Sequence, residues 1–108
     1  MRQWIAVAAV ALSASVAQAA IKEEPVTYQD GGTTMKGVIV YDDAVQGKRP
    51  GIIMVHEWWG ITKHMHDEAQ KFAREGYTAL IADMYGDAKT ADNPKDAGAL
   101  TNAPTIRL

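Results

Sequence analysis

The stretch PGIIMVHEWWG, residues 50–60, joins an apolar run to a short polar loop. The run at 52–55 is rich in β-branched residues and follows Pro-Gly, which predicts a strand buried on both faces, as in a parallel sheet. His56, Glu57 and Trp58 come directly after this strand, and a helical pattern follows them. The order strand, tight polar loop, helix is typical of α/β proteins, in which ligands bind just beyond the carboxyl ends of strands. We therefore expect these three residues to lie at a functional site.

Before this stretch, the sequence predicts an antiparallel hairpin. Strand candidates at residues 26–29 and 33–41 flank the tripeptide Asp30-Gly31-Gly32. Glycine tolerates the positive φ that tight turns require, so the tripeptide is a turn signal. We expect the hairpin to lie at the edge of the sheet.

After the loop, the sequence predicts a helix over residues 63–75. Its apolar side chains repeat at the helical period and form one stripe, consisting of Met65, Ala69, Phe72 and Ala73. The Thr62 hydroxyl is expected to cap the N-terminus, and Gly76 is expected to end the helix. A second buried strand is predicted at residues 77–82, so the helix becomes the crossover of a βαβ unit.

The HEWWG loop and the segment Asp83-Met84-Tyr85-Gly86, which follows the second predicted strand, together resemble the N-terminal part of the dienelactone hydrolase family. The resemblance covers residues 26–102. It implies an α/β fold, namely a partial α/β-hydrolase fold with an N-terminal β-hairpin, one βαβ unit and a short C-terminal helix. The pair Asn93-Pro94 predicts that this helix spans Pro94–Thr101. The resemblance also implies hydrolysis of ester or lactone bonds in a small-molecule substrate through a cysteine thiolate, with no cofactor.

The same resemblance implies roles for four residues. Glu57 is expected to activate the nucleophilic thiol, and the backbone N–H of Trp58 is expected to be one donor of the oxyanion hole. Trp59 and Tyr85 are expected to line the substrate pocket. A carboxylate beside two tryptophans is also expected to be poorly solvated, which suits proton transfer. The alternatives are a loop carboxylate bonded to backbone N–H groups, tryptophans that cover the core, and a packed tyrosine.

The chain contains no cysteine, so the family's nucleophile motif G-x-C-x-G is absent. Ser13 and Ser15 are the only serines. The arginine with which the family clamps its substrate is also missing, and Lys89 is a loose substitute because it lacks the bidentate fork. The sequence therefore predicts an inactive, truncated or frame-shifted fragment of a hydrolase. The alternative is a small secreted binding domain without catalysis, which uses the surface of Trp58 and Trp59.

Residues 1–19 carry the features of a secretory signal peptide. Arg2 is basic, residues 4–12 are apolar, and Ala17-Gln18-Ala19 fits a cleavage site. The apolar run is shorter than the ~20 residues that a membrane-spanning helix needs. We therefore expect export to the periplasm or the medium, with residues 20–108 as the mature domain and no membrane association after cleavage.

Composition and histidine spacing argue against two other classes of protein. The net charge of −2 comes without a basic stripe, so nucleic acid is not a predicted partner. His56-Glu57 begins the zinc motif H-E-x-x-H, but Gly60 stands at its fifth position. His64 and His66, two residues apart on a helix, do not face the same way. Solvated histidines and no metal site are therefore predicted, with a zinc hydrolase as the least favoured alternative.

Overall fold

The computed structural model describes residues 20–103, which fold into four strands and two helices. In chain order these are β1 (Ile21–Asp30), β2 (Thr33–Asp42), β3 (Gly51–Val55), α1 (Lys63–Arg74), β4 (Thr78–Ala82) and α2 (Pro94–Thr101). The strands form one sheet in the order β1-β2-β4-β3, with β1 and β2 antiparallel and β3 and β4 parallel. The predicted hairpin, βαβ unit and final helix are confirmed, and neither helix is long and apolar enough to cross a membrane. The predicted signal peptide at 1–19 lies outside the described residues, as do residues 104–108.

The hairpin is longer than the sequence pattern indicates. β1 pairs with β2 along its whole length, from Ile21 opposite Asp42 to Asp30 opposite Thr33. Gly31 takes the positive φ, +58°, that the turn requires. Most side chains of β1 are exposed, so the strand shows little apolar alternation outside its second half.

Helix α1 covers one face of the sheet and forms the core with it. The buried side chains of this core are Val40, Met65, Ala69, Ala73, Ala79 and Ile81. Phe72, the remaining member of the predicted stripe, is 38% exposed and packs edge-on against Tyr77. Gly76 ends the helix with a φ of +95°, as predicted.

The predicted capping role of the Thr62 hydroxyl is wrong. The backbone of Thr62 has the extended N-cap conformation, but its side chain makes no capping hydrogen bond. The Met65 N–H, which is one of the donors that a side-chain cap takes, donates instead to the Thr62 carbonyl at 3.0 Å. A backbone turn therefore satisfies this donor.

The prediction that β3 is buried on both faces is wrong for the described part of the chain. Ile53 is 73% exposed and Val55 is 63% exposed, whereas Ile52 and Met54 are half-buried on the face that α1 covers. Among residues 20–103, no element covers the second face, and β3 pairs only with β4. The strand is therefore an edge strand with an apolar outer face.

Candidate functional site

Two loops meet beyond the carboxyl ends of the parallel strands. Residues 56–60 follow β3 and are called the β3 loop, and residues 83–88 follow β4 and are called the β4 loop. Because parallel strands end at the same edge of a sheet, these loops are neighbours. The β3 loop contains three of the predicted site residues, and the β4 loop contains the fourth, Tyr85. The structure therefore brings the predicted site residues together at one rim of the sheet.

His56 joins the two loops. Its Nε2 lies 3.0 Å from the backbone nitrogen of Met84 and accepts that N–H, and its Nδ1 lies 2.7 Å from the carbonyl oxygen of Glu57. The backbone N–H can only donate and the carbonyl can only accept, so the ring is a neutral imidazole with its proton on Nδ1. His56 is 8% exposed, and its ring centroid lies 4.7 Å from that of Tyr85. The prediction of a solvated histidine is therefore wrong at this position.

Trp58 is held through its carbonyl and its indole ring. The Tyr85 hydroxyl donates to the Trp58 carbonyl at 2.7 Å, and the indole N–H donates to the Thr101 hydroxyl at 2.8 Å. The Thr101 hydroxyl in turn donates to the Ala97 carbonyl within α2, at 2.9 Å. The backbone N–H of Trp58, however, has no acceptor among residues 20–103. Trp58 is thus fixed in place and presents one unused donor.

Tyr85 and Trp59, the predicted pocket residues, differ in their surroundings. Tyr85 is buried, with its ring against His56 and its hydroxyl on the Trp58 carbonyl. This geometry corresponds to the alternative of a packed tyrosine. Trp59 is half-buried, its ring centroid lies 5.5 Å from that of Trp58, and its carbonyl accepts the Ala91 N–H at 3.0 Å.

Asp83 organises the β4 loop from within. Its carboxylate accepts four backbone N–H groups at 2.9 to 3.1 Å, from Lys36, Tyr85, Gly86 and Ala88. Burial acts to raise the pKa of this carboxyl group, but the four donors favour the charged form and together hold the pKa below its usual value of 3.8. Residues 86–88 all have positive φ, a conformation in which successive N–H groups surround an anion. In this loop, the anion is the chain's own carboxylate.

Tyr28 ties the first strand to the same carboxylate-centred loop. Its hydroxyl accepts the Asp83 N–H at 2.8 Å and donates to the Asp83 carbonyl at 3.1 Å. Partial burial is the main cause that raises the pKa of Tyr28 above its usual value of 10.0. The phenol therefore remains protonated and serves both bonds.

Glu57 is the most exposed member of the predicted site. Its side chain is 64% exposed, and the carboxylate lies 3.5 Å from the Nε2 of His64. The poor solvation of the Glu57 carboxylate, which was predicted from the two adjacent tryptophans, is therefore not found in the described part of the chain. The alternative of a carboxylate bonded to backbone N–H groups is not found either, because no backbone donor within residues 20–103 reaches it.

The two other histidines differ from each other in exposure. The His64 side chain is 63% exposed, as predicted, whereas that of His66 is 32% exposed. The Nδ1 of His66 lies 3.2 Å from both carboxylate oxygens of Glu23, so this pair joins α1 to β1. Within residues 20–103, no three His, Asp or Glu side chains are close enough together to hold a metal ion.

An open concavity of about 410 Å³ lies on the uncovered face of the sheet. Its lining includes Tyr28, Met35, Ile53, Leu80 and Met84. Neither predicted pocket residue contributes to it. The concavity is therefore a feature of the exposed sheet face and does not extend to the Trp58 N–H.

Sequence reasoning missed two contributors to the rim, Asp83 and Thr101, and it missed the burial of a third, His56. Asp83 carried a usable signal, because an aspartate that precedes a turn commonly bonds to backbone N–H groups a few residues further on. His56 was recognised by position, but its burial was not. Thr101 carried no local signal, since its contact with Trp58 joins residues 43 positions apart.

The chain is similar to known proteins over most of its length. A sequence model described as the dienelactone hydrolase family matches residues 35–105. Protein usf of Aquifex pyrophilus is 36% identical over 78 residues, and a protein of Aquifex aeolicus (strain VF5) named as a carboxymethylenebutenolidase is 32% identical over 78 residues. Each match covers 69% of this chain and 32% of the relative. The solved structure m3DLH has a TM-score of 0.69 and 31% identity, over 74% of this chain and 33% of that one. The chain thus spans about a third of the length of these relatives.

Proposed function

Because the chain belongs to the dienelactone hydrolase family and has a partial α/β-hydrolase fold, we propose that its β3 loop forms one wall of a hydrolase active site. The proposed substrates are small-molecule carboxylic esters or lactones. The name of the Aquifex aeolicus relative supports this class, because a butenolide is an unsaturated lactone.

The observation that carries the proposal is the unused backbone N–H of Trp58. Ester hydrolysis passes through a tetrahedral intermediate that bears a negatively charged oxygen, and a preplaced N–H stabilises this charge. The Trp58 N–H lies just beyond the carboxyl end of β3, on a loop that His56 and Tyr85 hold in place. It therefore has the rigidity that an oxyanion donor needs, and we assign it the role of one such donor.

Glu57 is proposed as the base that deprotonates the nucleophilic thiol. The thiolate is the reactive form of cysteine, so a nearby carboxylate that accepts the thiol proton speeds the attack. The Glu57 carboxylate is exposed, and its contact with His64 at 3.5 Å is a surface pair of small energy. Its side chain is therefore free to turn toward a nucleophile that is brought to the rim.

The 108 residues do not contain a nucleophile for this site. They include no cysteine, and their two serines, Ser13 and Ser15, lie outside the described residues. We propose that these residues alone do not hydrolyse esters and that the thiol is supplied by polypeptide outside them. Export to the periplasm or the medium, as residues 1–19 predict, is part of the same proposal.

A chimaera tests the proposed role of Glu57. Residues 35–105 replace the matching segment of an active dienelactone hydrolase, and lactone hydrolysis is measured for the parent chimaera and for two variants. Glu57→Gln is expected to lower kcat/KM by about 100-fold or more, the range for loss of a general base. Glu68→Gln, which removes a surface carboxylate of α1 that is paired with Lys71, is the matched control and should keep the parent activity. Equal activity of the two variants would contradict the role.

A secreted binding domain remains the second candidate function, because Trp58 is 44% exposed. It predicts that the 108-residue chain binds a small molecule without further polypeptide. Binding would change the tryptophan fluorescence, and Trp58→Phe would remove that change. Saturable binding by a chain whose chimaera shows no dependence on Glu57 would favour this second function.

A further inference from the structure

We infer that His56 is a positioning residue that aims the backbone N–H of Trp58. The inference rests on the proposed function, in which this N–H stabilises the oxyanion. His56 is buried, and both of its ring nitrogens are already bonded within the protein. It therefore acts on the donor through the backbone and does not act on the substrate.

The peptide unit between Glu57 and Trp58 transmits the effect. The described chain has no cis peptide bond, so the Glu57 carbonyl and the Trp58 N–H point in opposite directions from one rigid plane. The carbonyl accepts two hydrogen bonds, from His56 Nδ1–H at 2.7 Å and from the Gly60 N–H at 3.1 Å. Fixing the carbonyl fixes the N–H at the other side of the plane. The Trp58 N–H is thereby turned away from the turn that the Gly60 bond closes.

The proton of His56 is in turn placed by the β4 loop. A neutral imidazole donates from one nitrogen and accepts at the other. The Met84 N–H occupies Nε2 at 3.0 Å, so the proton must reside on Nδ1, where it meets the Glu57 carbonyl. Asp83 fixes the backbone on both sides of this donor, because its carboxylate binds the next N–H groups and its own N–H binds Tyr28. The direction of the oxyanion donor on one loop therefore depends on the order of the other loop.

Two substitutions of His56 test its two hydrogen bonds one at a time. The amide nitrogen of asparagine can replace Nδ1–H, whereas the amide oxygen of glutamine reaches the position of Nε2. We expect His56→Asn to keep the bond to the Glu57 carbonyl and to release Met84, and we expect His56→Gln to do the reverse. Amide NMR spectra of the 108-residue chain measure both effects. The Trp58 amide resonance should stay in place in His56→Asn and shift in His56→Gln, and the Met84 amide should show the opposite pattern.

The nitrogen resonances of the His56 ring give a second readout, which needs no variant. In the wild-type chain, Nδ1 should resonate as a protonated nitrogen and Nε2 as an unprotonated one. If both variants lose the fold, this spectrum decides by itself. Four outcomes would each overturn the inference. In the wild-type chain, these are the opposite tautomer, an average of the two tautomers, and undispersed amide resonances of Trp58 and Met84. The fourth is an equal shift of the Trp58 amide in both variants.

These measurements do not depend on catalysis. If the activity of the chimaera does not depend on Glu57, the proposed function is contradicted, but the NMR result is unaffected. If the activity of the chimaera depends on Glu57 but the NMR spectra contradict the predicted hydrogen bonds of His56, only the positioning role of His56 is contradicted. The two failures are therefore distinguishable.

Discussion

The rim of the sheet and the outer face of β3 differ in how many of their interactions the described residues supply. At the rim, the carboxylate of Asp83 binds four backbone donors, and His56 uses both ring nitrogens. On the outer face, Ile53 and Val55 are largely exposed, and β3 has no strand partner at its outer edge among residues 20–103. The buried polar side chains of the rim thus find their partners within the described residues, whereas the apolar side chains on the outer face of β3 have no covering surface there.

Replacement of Asp83 by alanine is expected to have the largest effect on stability, because it removes the central hydrogen-bond acceptor of the rim. It leaves four backbone N–H groups without their acceptor, and each buried donor left unpaired costs about 1–3 kcal/mol. Because some of these donors can recover water, we expect the free energy of unfolding to fall by about 3–5 kcal/mol in urea denaturation. Asp43→Ala, which removes an exposed carboxylate 3.9 Å from Lys22, should stay within about 0.5 kcal/mol of wild type. Equal losses would show that the rim bonds add no special stability.

Truncation of one isoleucine on each face of the sheet compares the stability that the covered and the uncovered face provide. Ile81 is fully buried beneath α1, whereas Ile53 is 73% exposed. Ile81→Ala is expected to lower the free energy of unfolding by about 2–5 kcal/mol, and Ile53→Ala by about 0.5 kcal/mol or less. Chemical denaturation of both variants under the same conditions gives the comparison. Similar costs would mean that the outer face is covered in solution.

Acid is expected to weaken the rim through Asp83. The pKa of this carboxyl group is lower in the folded chain than its usual value of 3.8, so the ionised group adds stability above that value. This contribution is lost as the pH falls through the folded pKa. Asp83→Asn cannot titrate, so its difference in unfolding free energy from wild type should narrow as the pH falls below 3.8. Denaturation curves of both proteins at stepped pH measure this difference, and a constant difference down to acid pH would contradict the role of ionised Asp83.

A small effect is expected where α2 meets the rim. Thr101→Val removes the hydroxyl that accepts the Trp58 indole N–H and keeps the shape of the side chain. Trp58 is 44% exposed, so water can replace the lost acceptor, and we expect a cost of about 1 kcal/mol. Thr90→Val, at an exposed position of the loop before α2, is the control. A cost for Thr101→Val no greater than that of the control would show that α2 does not help to hold the β3 loop.

The elements that the sequence predicts well depend on short-range patterns. The apolar stripe and Gly76 give α1 and its end, and the Asn93-Pro94 pair gives the start of α2, where the Asn93 side chain accepts the Asp96 N–H. The order strand, loop, helix, strand gives the parallel pairing of β3 with β4. These signals lie within a few residues of the structure that they specify, so one sequence is sufficient.

The features that the sequence predicts poorly depend on distant partners. An apolar run such as that of β3 shows that the strand suits burial, but it does not show which surface covers it. His56 has polar and aromatic neighbours in sequence, yet the Met84 N–H that bonds to its Nε2 lies 28 residues away. The Thr62 hydroxyl was a reasonable cap by type, and a competing backbone bond removed the need for it.

The bonds of Asp83 also bear on the order in which the chain folds. Its contacts with Tyr28 and Lys36 span 55 and 47 residues, so each requires the closure of a long loop. We expect these contacts to form only when the hairpin docks onto the βαβ unit, which places them late in folding. Interactions that are absent from the folding transition state govern the rate of unfolding and leave the rate of folding nearly unchanged. We therefore expect the long-range bonds of Asp83 to slow unfolding more than they speed folding.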